Sequence, residues 1–276
     1  MQSSPPVLGR ESTAAFSEPT LPSAGDAGSS SLRAEGGSTP DWVVRAASVA
    51  GVRHRLAGEP CEDSFAWSHS EGVVCLAVAD GVGSIEGSEG AARRAARAGV
   101  DAARREAGRH RDALAGAVAA ANEAAEGGGA TTLVLAVLRA DGPVELARVG
   151  DSTAFVVSPG GRWREVFEDP DEDRVGGETD ALPCASPSPE RAVCQLAAGE
   201  VLVLATDGLA DPWRDGPTTV APHLASALAA GPPALELARL AGFSRHGCHD
   251  DRTVVCAWAL GGPPAQAPSR PEDGPP

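Results

Sequence analysis

The sequence predicts one α/β domain, and three observations carry that reading. Apolar runs of strand length recur through the middle of the chain, Ala- and Arg-rich stretches with helical spacing follow them, and three successive short runs read as an antiparallel meander. The first strand-like segment is Trp42 to Val49, and a second apolar run spans Val73 to Ala79. Helices are predicted from Gly90 to about Arg109, with Ser88 placed to cap the start, and from Asp112 to Glu126. After a GGGATT turn, the meander comprises Leu133 to Leu138, Val144 to Val149 and Thr153 to Val157, with Asp141-Gly142 at hairpin spacing between the first two. A buried strand at Val201 to Ala205 precedes a helical stretch from Val220 to Ala241, which Gly231-Pro232-Pro233 interrupts. Thr253 to Leu260 is the last strand.

The ends read differently. Residues 1–40 are rich in Ser, Gly, Pro and Ala and are expected to be disordered, because they cannot bury enough apolar surface to offset chain entropy. Residues 261–276 read as a flexible Pro/Gly-rich tail, leaving 41–260 as the domain. Residues 168–190 form a long acidic loop. The first residues lack a basic and then apolar leader, and no run approaches membrane-spanning length, so a cytoplasmic protein is expected.

Charge removes several function classes. The formal net charge of -15 argues against nucleic acid and against an anionic membrane surface as partners. All 23 basic residues are arginine. A chain without lysine has no Walker-type phosphate loop, no kinase strand lysine and no Schiff-base lysine. The six cysteines form no C-x-x-C pair and read as reduced thiols. The segment GVGSIEG after an apolar run imitates a dinucleotide-binding loop, but its glycines at 81, 83 and 87 are spaced one residue too far, and Asp80 would face the pyrophosphate with its own charge.

The acids are placed where chemistry would use them. VVCLAVADGVG ends a buried run in Asp80-Gly81, and VLVLATDGLAD ends another in Asp207-Gly208. Glu62-Asp63 precedes the FAW run, Asp151 follows the strand ending in Val149-Gly150, and Asp250-Asp251 opens the last strand. Carboxylates gathered at strand edges repel one another unless cations neutralise them, and Mg²⁺ and Mn²⁺ are the cations that favour oxygen ligands.

Six elements occur in an order that resembles the protein phosphatase 2C (PP2C, PPM) family across roughly residues 42–260: Cys61-Glu62-Asp63, Ala79-Asp80-Gly81-Val82-Gly83, Gly129-Ala130-Thr131-Thr132, Gly150-Asp151-Ser152-Thr153, Ala205-Thr206-Asp207-Gly208-Leu209 and Asp250-Asp251-Arg252-Thr253-Val254. The resemblance implies a sandwich of two antiparallel β-sheets flanked by α-helices. It also implies metal-dependent hydrolysis of phosphoserine and phosphothreonine in proteins, the products of Ser/Thr kinases, by a monomer using Mn²⁺ or Mg²⁺. By the same resemblance Asp80 bridges two metals, the Gly81 carbonyl and Glu62 complete one site, Asp207 and Asp250 complete the other, Asp151 helps hold a third ion, and Asp63 orients water or its neighbour.

Two departures matter. Val82 stands where many members have a proton-donating His, and Gly58 stands where the phosphate-gripping Arg is usual. Arg53, Arg55 and His54 lie close by in sequence as substitutes, and His249 beside Asp250 is a further candidate for the acid. These departures also motivate an alternative, a catalytically weak or inactive PP2C-like regulatory or binding module.

Overall fold

The computed structural model describes residues 24–26, 31–70, 72–107, 113–140, 142–167, 180–214, 220–243, 245 and 248–260. In chain order the elements are β1 (Ala24–Asp26), β2 (Leu32–Ser38), β3 (Trp42–Val49), α1 (Val52–Ala57), β4 (Ser64–Ser70), β5 (Val73–Ala79), α2 (Ser88–Ala107), α3 (Ala113–Ala125) and β6 (Leu133–Arg139). There follow β7 (Val144–Val149), β8 (Thr153–Val157), β9 (Trp163–Glu165), β10 (Glu190–Cys194), β11 (Val201–Ala205), α4 (Asp207–Arg214), α5 (Val220–Ala229), α6 (Ala234–Ala241) and β12 (Arg252–Ala259).

The strands make two antiparallel six-stranded sheets, ordered β1-β4-β5-β6-β7-β10 and β2-β3-β12-β11-β8-β9. Their inner faces meet in a core of Trp42, Phe65, Trp67, Leu76, Leu146, Leu202 and their neighbours. Period-2 alternation sends the other side chains of β5 and β6, such as Cys75, Ala77, Leu133 and Leu135, outward, where Ala91, Ala92, Ala95, Ala96 and Val100 of α2 cover them. Small residues on that helix let it lie close to the sheet. On the far face α4, α5 and α6 cover Phe155, Val203 and Cys256 with Trp213, Leu224 and Leu237. The result is the layered α/β sandwich that the sequence predicts.

Antiparallel register fixes where the acids fall. Ser64 at the start of β4 pairs with Ala79 at the end of β5, and Ala205 at the end of β11 pairs with Val254 near the start of β12. Residues just before β4, just after β5, just after β11 and just before β12 therefore leave the sandwich at one edge. Asp151 lies in the short link between β7 and β8, which joins the two sheets, so the expected three-strand meander is corrected: β6 pairs with β7, but β8 pairs with β11 and β9.

Several expectations are corrected. The segment expected to be disordered at residues 1–40 contains β2, which pairs with β3 from Leu32↔Val49 to Ser38↔Val43, and β1, which pairs with β4. The domain thus begins before residue 41. Composition misleads there because an edge strand, half-exposed along most of its length, needs few apolar residues. Residues 1–23, 27–30, 168–179 and 261–276, Asp141 and part of the acidic loop lie outside the described residues. Ser88 does not cap α2 from outside; it is the first helical residue, and its hydroxyl donates to the Val82 and Ile85 carbonyls at 2.8 and 2.7 Å. The cysteines are all free, with Cys61, Cys75, Cys194 and Cys256 buried. Among the described residues no helix is long and apolar enough to cross a membrane.

A chain that starts at Asp41 loses β2 and bares the edge of β3. Seven cross-strand pairs are lost with it, and at a few tenths of a kcal/mol each the cost is on the order of 2 kcal/mol. Thermal melts should show a fall of roughly 4 to 8 °C relative to the full chain; an unchanged midpoint would mean that β2 adds nothing to the fold.

Candidate active site

Asp80 leaves β5 with its backbone held from both sides. Its N–H donates to Thr132 Oγ1 at 3.1 Å, and its carbonyl accepts from Thr132 N–H at 2.8 Å and from Thr131 Oγ1 at 2.9 Å. Thr132 Oγ1 in turn meets Ser152 Oγ at 2.8 Å, which links the Asp80 turn to the segment carrying Asp151. The Thr131-Thr132 pair thus belongs to the site although it carries no charge.

Across the edge, Asp207 opens α4 instead of a loose turn. Gly208 allows this: a Cβ there would stand 2.0 Å from the Asp251 carbonyl, so no other residue lets α4 begin against the start of β12. Arg252 locks the same junction, donating to the carbonyls of Gly208 at 3.1 Å, Phe243 at 2.6 Å and Cys248 at 3.0 Å. Thr206 completes the frame. Its Oγ1 donates to Asp63 Oδ2 at 2.8 Å and accepts the Thr253 N–H at 2.9 Å.

These supports bring Asp63, Asp80, Asp207 and Asp250 within electrostatic range. Burial pushes the Asp80 carboxyl well above the ordinary carboxylate range, and the charges of Asp63, Asp207 and Asp250 add to the shift. Asp80 and Asp207 lie close enough that each side chain shifts the other. Asp207 is pushed up to about 6, first by burial and then by Asp250, Asp151 and Asp211. Asp63, 4 % exposed, is raised by burial and by Asp251 and has Thr206 as its one hydroxyl donor. Glu62, half-buried, is raised mainly by burial, with Asp251 adding to the shift.

Among the described residues no three His, Cys, Asp or Glu side chains are already drawn around one point as metal ligands are. The donor set nevertheless fits a hard divalent cation. Every candidate ligand is an oxygen, and Oδ1 of Asp63 and Oδ1 of Asp207 are buried without a hydrogen-bond partner.

The other predicted residues divide. Arg53, Asp207, Gly208, Asp211, Pro212, Cys248, His249 and Asp250 line an open pocket of about 320 Å³. Arg55 is exposed and is not in that lining, so of the two predicted arginines only Arg53 joins the acids. His54 is 3 % exposed and lies behind the pocket, with its ring between Asp251 and Arg53. Sequence reasoning assigned no role to Asp251, Thr206 or Arg252, although each sits beside a quoted acid.

The raised Asp207 sets a sign for pH dependence. Its neutral form is favoured in the folded state, so the stability it contributes is full below its ordinary value of 3.8 and is lost as pH rises through about 6. With a chelator present, Asp207→Asn should therefore gain on wild type in melting temperature between pH 4 and pH 7. A gap that narrows over that range would show that the carboxylates do not strain the fold.

The sequence model of the family described as protein phosphatase 2C matches residues 50–236. Among solved structures, RsbX in complex with magnesium aligns over 82% of this chain and 100% of its own, at 16% identity and a TM-score of 0.56. The Mycobacterium tuberculosis serine/threonine phosphatase PstP/Ppp aligns over 79% of this chain and 98% of its own, at 23% identity and a TM-score of 0.56. The PstP catalytic domain with 2 manganese ions aligns over 80% of this chain and 99% of its own, at 22% identity and a TM-score of 0.53. No curated protein sequence matches the chain. The structural likenesses establish the two-sheet sandwich, the family model spans well over half of the 276 residues with the strand-edge acids up to Asp207 inside its bounds, and the chain belongs to the protein phosphatase 2C family.

Proposed function

We propose that this protein hydrolyses phosphate monoesters, in the first place phosphoserine and phosphothreonine of proteins, with Mn²⁺ or Mg²⁺ held by Glu62, Asp80, the Gly81 carbonyl, Asp207 and Asp250. Asp151 is the candidate ligand for a third ion. The observation that carries this reading is the meeting of Asp80 and Asp207 from different sheets, with the unpartnered Asp207 Oδ1 and Asp63 Oδ1 beside them. Four carboxylates crowded in this way cost folding energy, which divalent cations would offset.

When bound, the ions supply a water of lowered pKa and neutralise the phosphoryl oxygens. The chain's own residues do the rest. Asp80 would help hold the ions, on a backbone that Thr131 and Thr132 fix from both sides. Asp63, kept in place by Thr206, would orient water at its free Oδ1. Arg53 faces the same pocket as Asp207 and Asp250 and supplies the donors that grip the phosphate. The family relatives named above support a phosphoprotein substrate.

Turnover of p-nitrophenyl phosphate should require Mn²⁺ or Mg²⁺ and stop with EDTA. Asp80→Asn should lower kcat at least on the order of a hundredfold, about 2.7 kcal/mol of transition-state stabilisation. Apo Asp80→Asn should melt no lower than apo wild type, because one repelling charge is gone. Activity that survives EDTA would remove the metallophosphatase reading, whereas tight Mn²⁺ binding with no turnover of phosphoprotein or ester would favour the regulatory module.

Val82→His should restore a general acid beside the Asp80 turn. Its gain is expected for alkyl phosphates, whose leaving oxygen is basic, and not for p-nitrophenyl phosphate. An equal effect on both esters would mean that the new imidazole does not protonate the leaving group.

A further inference from the structure

Asp251 is 2 % exposed, and the function proposed above gives it no part. Its Oδ1 accepts the Gly51 N–H at 2.6 Å, its Oδ2 accepts the Glu62 N–H at 2.6 Å, and His54 Nδ1 stands 2.9 Å from both oxygens. A carboxylate accepting in this way offers only lone pairs, so Nδ1 carries the hydrogen. On the opposite side of the ring, His54 Nε2 lies 3.3 Å from Arg53 Nη2, a group that can only donate. Nε2 therefore presents its lone pair. Two independent contacts select the same neutral tautomer.

That ring sits at a junction. Glu62 Oε2 is 3.7 Å from His54 Nε2, and a Cβ built on Gly83 would lie 2.9 Å from Glu62 Oε2 and 3.0 Å from Arg53 Nη2. The carboxylate proposed to hold a metal and the guanidinium proposed to hold phosphate thus converge over one glycine. Unrestrained, an arginine in that position would close both of its forks onto Glu62 and be lost to a substrate. The lone pair of Nε2 engages one guanidinium nitrogen and leaves the remaining N–H groups available. α1 has only six residues and no side-chain cap at its start, so it is marginal alone; the bond from Gly51 N–H to Asp251 anchors it.

We propose that Asp251 and His54 are a positioning pair that presents Arg53 to the phosphate from α1, in place of an arginine at Gly58. Asp251 sets the tautomer and direction of the imidazole, and the imidazole sets the direction of Arg53. The same carboxylate ties down the Glu62 backbone, so one buried group places both the phosphate grip and a candidate metal ligand. His54, named from sequence as a catalytic residue, acts here through Arg53 and not on the substrate.

The proposal rests on the phosphatase reading for its ligand, so its test has an arm that needs no turnover. In ¹⁵N-histidine spectra of the full chain, assigned by difference with His54→Asn, the His54 ring should show a bonded hydrogen on Nδ1 and none on Nε2. A ring in the Nε2–H form overturns the proposal, whether or not the protein is active. His54→Asn keeps a donor toward Asp251 but has no atom at the Nε2 position. With Mn²⁺ and p-nitrophenyl phosphate it should raise KM about tenfold, the loss of one charge-assisted contact, with kcat changed less than about threefold, and weaken inhibition by inorganic phosphate to the same degree. In an Arg53→Met background the same substitution should change KM less than about twofold. Additive effects, or a fall in kcat alone, would reduce His54 to a structural residue. Should His54→Asn fail to fold, Asp251→Asn serves instead: its amide can meet Nδ1 as a donor, which turns the ring to the Nε2–H form, and the same KM signature is expected. A wild type without turnover would sink the phosphatase reading alone, and inorganic phosphate binding measured by calorimetry in Mg²⁺ would then replace KM in each comparison.

Discussion

The constraint on which the rest depends is electrostatic: carboxylates from two sheets are forced together where the strands end. Asp80 and Asp207 come from opposite layers of the sandwich and act on each other, while Asp63 and Asp250 add their charges. Like charges brought together out of water oppose folding, so the surrounding chain must hold them there. It does so with the Thr131 hydroxyl and the Thr132 amide on the Asp80 carbonyl, a hydroxyl from Thr206 and the close approach of Gly208 to β12. None of these supports is charged. They fix position without cancelling the repulsion, which leaves the neutralising role open to a ligand.

The arginines carry the load that lysines would share in another chain. Arg252 binds four carbonyls, those of Gly208, Ala241, Phe243 and Cys248, with one guanidinium. Arg94 does the same at the end of α3, donating to Ala124, Ala125, Glu126 and Gly128. The latter set matters to the site, because Gly128 leads into the segment whose Thr131 and Thr132 hold Asp80. A planar fork with five donors can join several carbonyls at fixed angles, which a single ammonium cannot do. Packing of α2 against α3 is thereby transmitted to the position of one carboxylate at the sheet edge.

Much of this was legible in the sequence, for a physical reason. An apolar run that ends abruptly in Asp-Gly marks a strand leaving the core, and Asp80 and Asp207 sit at such points in the fold. The two-sheet order came from the family resemblance and agrees with the observed topology. What stayed hidden was held by tertiary contact. β2 reads as LRAEGGS, a composition that local propensity assigns to disorder, and it is a strand because β3 offers it a ladder. The six residues of α1 are too few for a periodic pattern, and its helical form follows from Asp251, nearly two hundred residues away.

Asp250 and Asp251 show most plainly where sequence reasoning stops. Residue type cannot separate two adjacent aspartates, and the resemblance assigned a role to the first of them. At the start of a strand, however, successive side chains point to opposite sides. Asp250 faces the pocket and is exposed, while Asp251 turns inward to a Gly51 amide, a Glu62 amide and the His54 ring. One step of the backbone therefore divides the work: the outer carboxylate is available to a ligand, and the inner one is engaged by protein donors on both oxygens. A buried carboxylate satisfied by three donors is rigid, and rigidity is what a flexible arginine at the mouth of the site otherwise lacks. The missing arginine at Gly58 is in this sense not a simple deletion. On the proposed reading the guanidinium comes from a short helix instead, and the residue next to the outermost aspartate secures that helix.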